Sequence, residues 1–220
     1  MIQRVYERAR LARGVEDVVI ATDDHRVQEA VRAFGGKVEM TDPAIPSGTD
    51  RVAEIARLPQ YRSFNAFVNV QGDEPFIEPR AIEAAAELLG RFPMATIMSP
   101  LRDEEELKNP AIVKVVADRN GRALYFSRHP IPYSRKPRPD AGEVFASKRH
   151  VGLYAYTRET LMRLSELSPS PCERGELLEQ LRALEDGIDI GIREIDFVSV
   201  GVDTPEELEK ARARARELES

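Results

Sequence analysis

Residues 66–75 read AFVNVQGDEP: an apolar run from Ala66 to Val70 with the make-up of a buried strand, ended at once by a polar turn that Gly72 and Pro75 tighten. After the turn, Pro79 suits the first turn of a helix carrying Ile82, Ala85, Ala86 and Leu89 on one face, and Met94 to Ser99 reads as the next strand. Before it, the loop TDPAIPSGTD (41–50) leads into a helix with Val52, Ile55 and Ala56. Further towards the N-terminus, strands at Val18–Ala21 and Lys37–Met40 flank a helix with Val27, Ala30, Val31 and Phe34 inward. That helix is capped by the polar group Thr22, Asp23 and Asp24 and stopped by Gly35 and Gly36. Ile2, Val5, Tyr6, Ala9 and Ala12 put an amphipathic helix at the front, ending at Gly14. Strands and helices alternating over short connections predict an α/β fold, a doubly wound and mostly parallel sheet covered on both faces.

The middle of the chain departs from that rhythm. Ile112–Ala117, the turn DRNG (118–121) and Ala123–Phe126 read as a β-hairpin, and Pro130, Pro132, Pro137 and Pro139 mark an irregular excursion lasting to His150. We expect one domain over 1–220 with an inserted lobe at 112–148, a candidate dimer arm. Beyond it, Val151–Tyr156 reads as a strand and Thr157–Leu167 as a helix. Ser170 opens a longer helix with a capping box to Glu173, and Ile190–Ile195 is a strand. In GVDTPEEL (201–208), Thr204 caps a final helix, Pro205 takes its first position and Glu207 completes the box.

Composition narrows the function. At net charge −6 with 32% charged residues, the 220-residue chain lacks the phosphate-neutralising surface of a general nucleic-acid binder. Cys172 is the only cysteine, which rules out an intramolecular disulfide and fits a reducing cytoplasm. No apolar run has the length of a signal peptide core or a bilayer span, so neither a membrane nor nucleic acid is an expected partner. Between Arg128 and His150, six cations (Arg128, Arg135, Lys136, Arg138, Lys148, Arg149) face only Asp140 and Glu143. This is a solvated basic loop or a local seat for an anion.

In an open parallel sheet, ligands bind outside the carboxyl ends of the strands, where Asp73 of QGDEP would project. A carboxylate there suits Mg²⁺, which takes one or two protein carboxylates together with phosphate oxygens and water; the same turn would also serve as an ordinary polar lead into a helix. Asp203 ends the GVD segment in the same manner and is either a second metal ligand, if the two strand ends meet, or a favourable charge at a helix start. Lys114 interrupts the apolar run IVKVV, and alternation places it on a solvent face. Cys172, in a first helical turn, has no base beside it and no assigned role.

VNVQGDEP (68–75), NPAIVKVV (109–116), ALYFSR (123–128), KRHVGLYAY (148–156), SPCERGELLEQLRALEDG (170–187) and GVDTPEEL (201–208), taken in order, resemble the 3-deoxy-manno-octulosonate cytidylyltransferase (CMP-KDO synthetase) family from Met1 to about Leu208. The resemblance implies the nucleotide-diphospho-sugar transferase-like fold and a homodimer. It implies transfer of CMP from CTP to the acidic sugar 3-deoxy-manno-octulosonate (KDO), with release of pyrophosphate, for lipopolysaccharide assembly. It also implies that Asp73 and Asp203 hold Mg²⁺, that Gln71 contacts substrate, and that Ser47, Gly48, Thr49 and Asp50 form the nucleotide-side loop. The plainer role of that loop is a helix start capped by Ser47 or Thr49, and capping is the role expected of Thr49. For the sugar acid, the matching positions are Arg128, His150, Tyr154, Glu176 and Gln180. Glu176 and Gln180, four apart on one expected helix, would reach the same pocket, and Arg128 would pair the carboxylate through its planar fork.

The chain departs from the family pattern at its front. The strand and loop of the form IPARYxSTRLPGKPL, which wraps the CTP phosphates with Arg and Lys, has no counterpart here, and a start upstream of Met1 is the expectation. The other readings are a cytidylyltransferase for an eight-carbon amino sugar or a sialic acid, for which RHVGLYAY and GELLEQL are the discriminating segments, and a non-catalytic binding or dimerising module.

Overall fold

The computed structural model describes residues 1–135, 147–197, 201–202 and 204–219, with the side chains of 218 and 219 set aside. The chain divides into two compact units. The first comprises the described parts of 1–63, 69–83 and 198–220, and the second 64–68 and 84–197.

The first unit opens with α1 (Ile2–Arg10), whose Val5, Tyr6 and Ala9 are buried. A parallel pair follows, β1 (Ile20–Thr22) and β2 (Val38–Met40), linked by α2 (His25–Ala33). Asp24 caps α2 by accepting from the Arg26 amide at 2.7 Å, as the polar cluster predicts. α3 (Gly48–Arg57) and a single 3₁₀ turn (Pro59–Tyr61) complete its front part. The closing helix, α9 (Pro205–Glu219), starts with the reciprocal pair read from the sequence: the Glu207 amide donates to Thr204 Oγ1 and the Thr204 amide to Glu207 Oε2. Ala211 packs with Phe76 and Val202, supported by Leu208 and Ala215. The guanidinium of Arg214 lies 4.8 Å from the centre of the Phe76 ring, a cation–π contact.

The second unit is built on a six-stranded sheet. Its strands are β3 (Ala66–Asn69, its last residue counted with the first unit), β4 (Met94–Ser99), β5 (Lys114–Ala117), β6 (Ala123–Ser127), β7 (Lys148–Thr157) and β8 (Ile190–Glu194). The order is β6-β5-β7-β4-β8, with β3 also paired to β7. The ten-residue β7 runs antiparallel to both β4 and β5, whereas β4 and β8 are parallel. The hairpin is where it was expected, β5 against β6, with Gly121 at φ 76 in the turn, a conformation that costs glycine nothing. β4 is buried on almost every residue, as befits a central strand covered on both faces. Around it, Ile97, Leu153, Leu161, Leu181 and Ile190 have almost no exposed surface, and such side chains contribute about 1.5–3 kcal/mol each. The helices are α4 (Pro79–Leu88, begun in the first unit), α5 (Glu104–Lys108), α6 (Arg158–Glu166), α7 (Pro171–Glu176) and α8 (Gln180–Glu185).

Two expectations fail in instructive ways. The longer helix from Ser170 has its capping box, but it breaks into α7 and α8 at Leu177, which adopts a left-handed conformation at φ 53. The carbonyls of Glu176 and Leu177, which a continuous helix would spend on later amides, instead accept from the guanidinium of Arg128. Glu176 and Gln180 therefore do not share one helical face. Lys114, placed by alternation on a solvent face, is fully buried, because three backbone carbonyls receive its ammonium. Of the expected lobe at 112–148, residues 136–146 lie outside the described residues, and with them Lys136, Pro137, Arg138, Pro139, Asp140 and Glu143.

Candidate active site

In the first unit, the expected residues gather on turns and at one helix start. Ser47 is the N-cap of α3: its Oγ accepts from the Asp50 amide at 3.1 Å and donates to Asp50 Oδ2 at 2.7 Å. Thr49 lies inside the helix, so of the two candidate caps Ser47 is the one used. A Cβ on Gly48 would stand 3.3 Å from Nδ2 of the buried Asn69, so a side chain there would press on the residue that ends β3. Arg51, next along α3, donates to Asp23 Oδ2 at 3.1 Å and to the Thr41 hydroxyl. This one guanidinium, missed in the sequence, ties α3 to residues just past the carboxyl ends of β1 and β2.

Gln71 and Asp73 follow β3 on the QGDEP turn, which closes with the Glu74 amide on the Gln71 carbonyl at 3.3 Å. The Val202 amide donates to the Asp73 carbonyl at 3.0 Å, and a Cβ on Gly201 would come within 3.8 Å of Asp73 Oδ2. The GV of GVDTP thus lies directly beside Asp73. Asp203 lies outside the described residues. Among the described residues, no three His, Cys, Asp or Glu gather into a metal cluster. A single strand-end carboxylate remains chemically suited to Mg²⁺, since that ion keeps water and phosphate oxygens as its other ligands.

In the second unit, the expected residues come from four elements. Glu176, closing α7, accepts from the Ser127 hydroxyl at 2.6 Å through Oε1 and from the Arg128 amide at 2.9 Å through Oε2. The Arg128 guanidinium donates to the carbonyls of Glu176 (2.8 Å), Pro110 (3.1 Å) and Leu177 (3.4 Å), which among the described residues leaves two of its five N–H groups uncommitted. Gln180, opening α8, is buried; its Oε1 accepts from the Tyr154 hydroxyl at 2.8 Å, and its Nε2 is buried with no hydrogen-bond partner among the described residues. Burial, reinforced by Tyr156 and Glu179, raises the Tyr154 pKa well above the ordinary tyrosine value, so its hydroxyl stays a donor.

His150 sits on β7 between the rings of Phe126 and Tyr154, with centroids 4.9 and 5.4 Å away. Burial lowers its pKa to about 3, so the ring is neutral. Thr96 Oγ1 has one proton, and its short bond to the Leu153 carbonyl at 2.7 Å takes it. Towards His150 Nε2, 3.0 Å away, Thr96 is therefore the acceptor. The imidazole proton is then on Nε2, and Nδ1 is a lone-pair acceptor. The structure thus brings Arg128 to Glu176, and His150, Tyr154 and Gln180 to one another.

Comparison with solved structures places this architecture first in a class. The 4-diphosphocytidyl-2C-methyl-D-erythritolsynthase of Anaerococcus prevotii is only 10% identical, yet it superposes with a TM-score of 0.62 over 98% of this chain and 85% of its own. The fold is that of the nucleotide-diphospho-sugar transferases. Within the class, residues 1–190 match the family described as Cytidylyltransferase, and the chain belongs to that family. It is 48% identical to the 3-deoxy-manno-octulosonate cytidylyltransferase of Syntrophotalea carbinolica over 99% of this chain and 89% of that one. A solved CMP:2-keto-3-deoxy-manno-octonic acid synthetase complexed with CTP is 43% identical and superposes with a TM-score of 0.88 over 98% of this chain and 87% of the other.

Proposed function

We propose that the protein transfers CMP from CTP to KDO, releasing pyrophosphate, and so serves lipopolysaccharide assembly in the cytoplasm. The likeness to KDO cytidylyltransferases over nearly the whole chain carries the reading, and the neutral, partly unsatisfied polar groups of the second unit agree with a sugar as acceptor. In this reading the anomeric hydroxyl of the sugar attacks the α-phosphorus of CTP in line, and pyrophosphate leaves.

The first unit serves the nucleotide. Ser47, Gly48, Thr49 and Asp50 form the loop on its side, Gln71 contacts substrate, and Asp73 with Asp203 would hold Mg²⁺. That ion supplies positive charge against the phosphate oxygens. The second unit serves the sugar. The two uncommitted N–H groups of Arg128 meet the carboxylate, Gln180 Nε2 donates to a hydroxyl, and His150 Nδ1 accepts from one. Glu176 acts by holding Arg128, since both its carboxylate oxygens are engaged by Ser127 and Arg128. The protein works as a homodimer through the hairpin lobe at 112–148.

The test is pyrophosphate release from CTP and Mg²⁺ with KDO, an eight-carbon amino analogue and a sialic acid supplied in parallel. Turnover with KDO preferred is the expected result. Equal turnover with a sialic acid would reassign the acceptor, and a folded dimer inert towards all three would turn the reading into a binding module.

A further inference from the structure

Lys114 opens β5 with no exposed surface at all. Its ammonium has three protons, and three carbonyls take them: Asn109 at 2.9 Å, Ile112 at 2.6 Å and Arg128 at 2.5 Å. Burial lowers its pKa, with the charge of Glu176 acting against that shift. A cation removed from water is costly, and an apolar side chain of similar length would fill the same space without that cost. What the cation adds is a junction between segments.

The junction has one focus. The carbonyl of Arg128 accepts from Lys114 while its amide donates to Glu176, so the backbone of this residue is held on both sides by opposite charges, a fully buried ammonium and a half-buried carboxylate. Lys114 also holds the carbonyls of Asn109 and Ile112, and between them lies Pro110, whose own carbonyl receives Arg128 Nη1. One ammonium therefore sets the backbone of Arg128 and an anchor of its guanidinium. Nothing in these contacts brings Lys114 itself to a ligand.

We propose that Lys114 is a positioning residue for acceptor recognition: it fixes the Arg128 fork in the orientation that receives the carboxylate of the sugar acid. The proposal rests on the reading of Arg128 as the carboxylate contact, and the experiment separates the two.

Lys114→Met, Arg128→Ala and the double variant are assayed for KM towards KDO and towards CTP. Lys114→Met is expected to raise the KDO KM about tenfold and leave the CTP KM within about twofold, as for the loss of a charge-assisted contact on one substrate only. In the Arg128→Ala background the same change is expected to add less than about twofold, because the residue through which it acts is gone. Equal rises in both KM values, an unchanged KDO KM, or the full effect persisting without Arg128 would overturn the positioning role. An Arg128→Ala protein with an unaltered KDO KM would instead overturn the carboxylate reading beneath it. Should Lys114→Met fail to fold, Glu176→Gln reaches the backbone of the same residue from the other side, since an amide oxygen and its NH₂ cannot accept both from Ser127 and from Arg128. It is expected to show the same acceptor-selective rise, and a rise in both KM values would count against the proposal.

Discussion

The two units organise their candidate residues differently. In the first, Ser47, Asp50, Gln71 and Asp73 sit on a helix cap and a strand-end turn, and the side-chain bonds within the 47–50 group span three residues. In the second, the bonds that shape the group run between distant segments: Ser127 and Arg128 to Glu176, Tyr154 to Gln180, Thr96 to His150. A turn can shift by small backbone changes while a buried side-chain lattice resists them, so in the proposed reading the nucleotide side would be the more adaptable and the acceptor side the more preorganised. Substitutions in each unit should therefore speak to one substrate and leave the other alone.

The largest effect is expected at the turn. Asp73→Asn keeps the shape of the side chain and removes its charge, and it should lower kcat for pyrophosphate release by about 10² or more, the range for losing a group that serves transition-state charge. KDO binding measured by calorimetry should stay within about twofold. A matching loss of KDO affinity would erase the proposed division of labour.

Next comes the response of the preorganised side to acid. His150 has a pKa of about 3 in the folded protein against 6.5 when unperturbed. The depressed value means that the unfolded chain takes up the proton first. Above pH 6.5 neither state is protonated there and the residue adds no pH dependence. As pH falls from 6.5 towards 3, stability should drop by up to about 1.4 kcal/mol per unit from this residue alone. Urea midpoints followed from pH 7.5 to 4.5 should show that slope, and His150→Gln should flatten it. In the same interval the ring's NMR resonances should not titrate in the folded protein.

This contrast also decides which features the amino-acid sequence alone makes legible. Caps and turns are local, so Asp24, the Thr204–Glu207 pair and the QGDEP turn were legible from neighbouring residues alone, whereas at the start of α3 the cap was expected at Thr49 and falls on Ser47. The α/β alternation was legible for the same reason, with β4 found over the residues predicted. The antiparallel passage of β7 between β5 and β4 was not, because strand direction within a sheet depends on where a long connection returns. Lys114 and the break at Leu177 escaped for a related reason: Arg128, 14 and 49 residues away, takes part in the contacts of both, and no periodicity encodes it. The acceptor residues themselves were named only through resemblance to a family, whereas Arg51, without a motif of its own kind, went unnoticed.

Tyr154→Phe tests the lattice at one bond. The hydroxyl lost is the donor to Gln180 Oε1, so a buried amide oxygen is left without its partner, at a cost of about 1–3 kcal/mol. Part of that cost falls on orientation, because the amide of Gln180 is then free to rotate and its Nε2 no longer has a fixed direction. The expected outcome is a KDO KM raised about fivefold to tenfold with the CTP KM unchanged, and Gln180→Leu should add little on top of it. Strictly additive effects would show that the two residues do not act as one unit.

The smallest effect belongs to the helix cap. Ser47→Ala removes the acceptor for the Asp50 amide and the donor to the Asp50 carboxylate, which should cost about 1 kcal/mol of stability, seen as a lower urea midpoint at constant m-value. Ser47→Asp keeps a capping oxygen but places a second charge beside Asp50, so it should restore less of the midpoint than Ser47→Asn does. If the cap is also the nucleotide-side loop, both replacements should weaken CTP more than KDO, and Ser47→Asp, with like charge added near the phosphates, should weaken it most. Equal CTP affinity across the three variants would leave Ser47 a cap and nothing more, and would move the nucleotide side of the site towards Gln71 and Asp73.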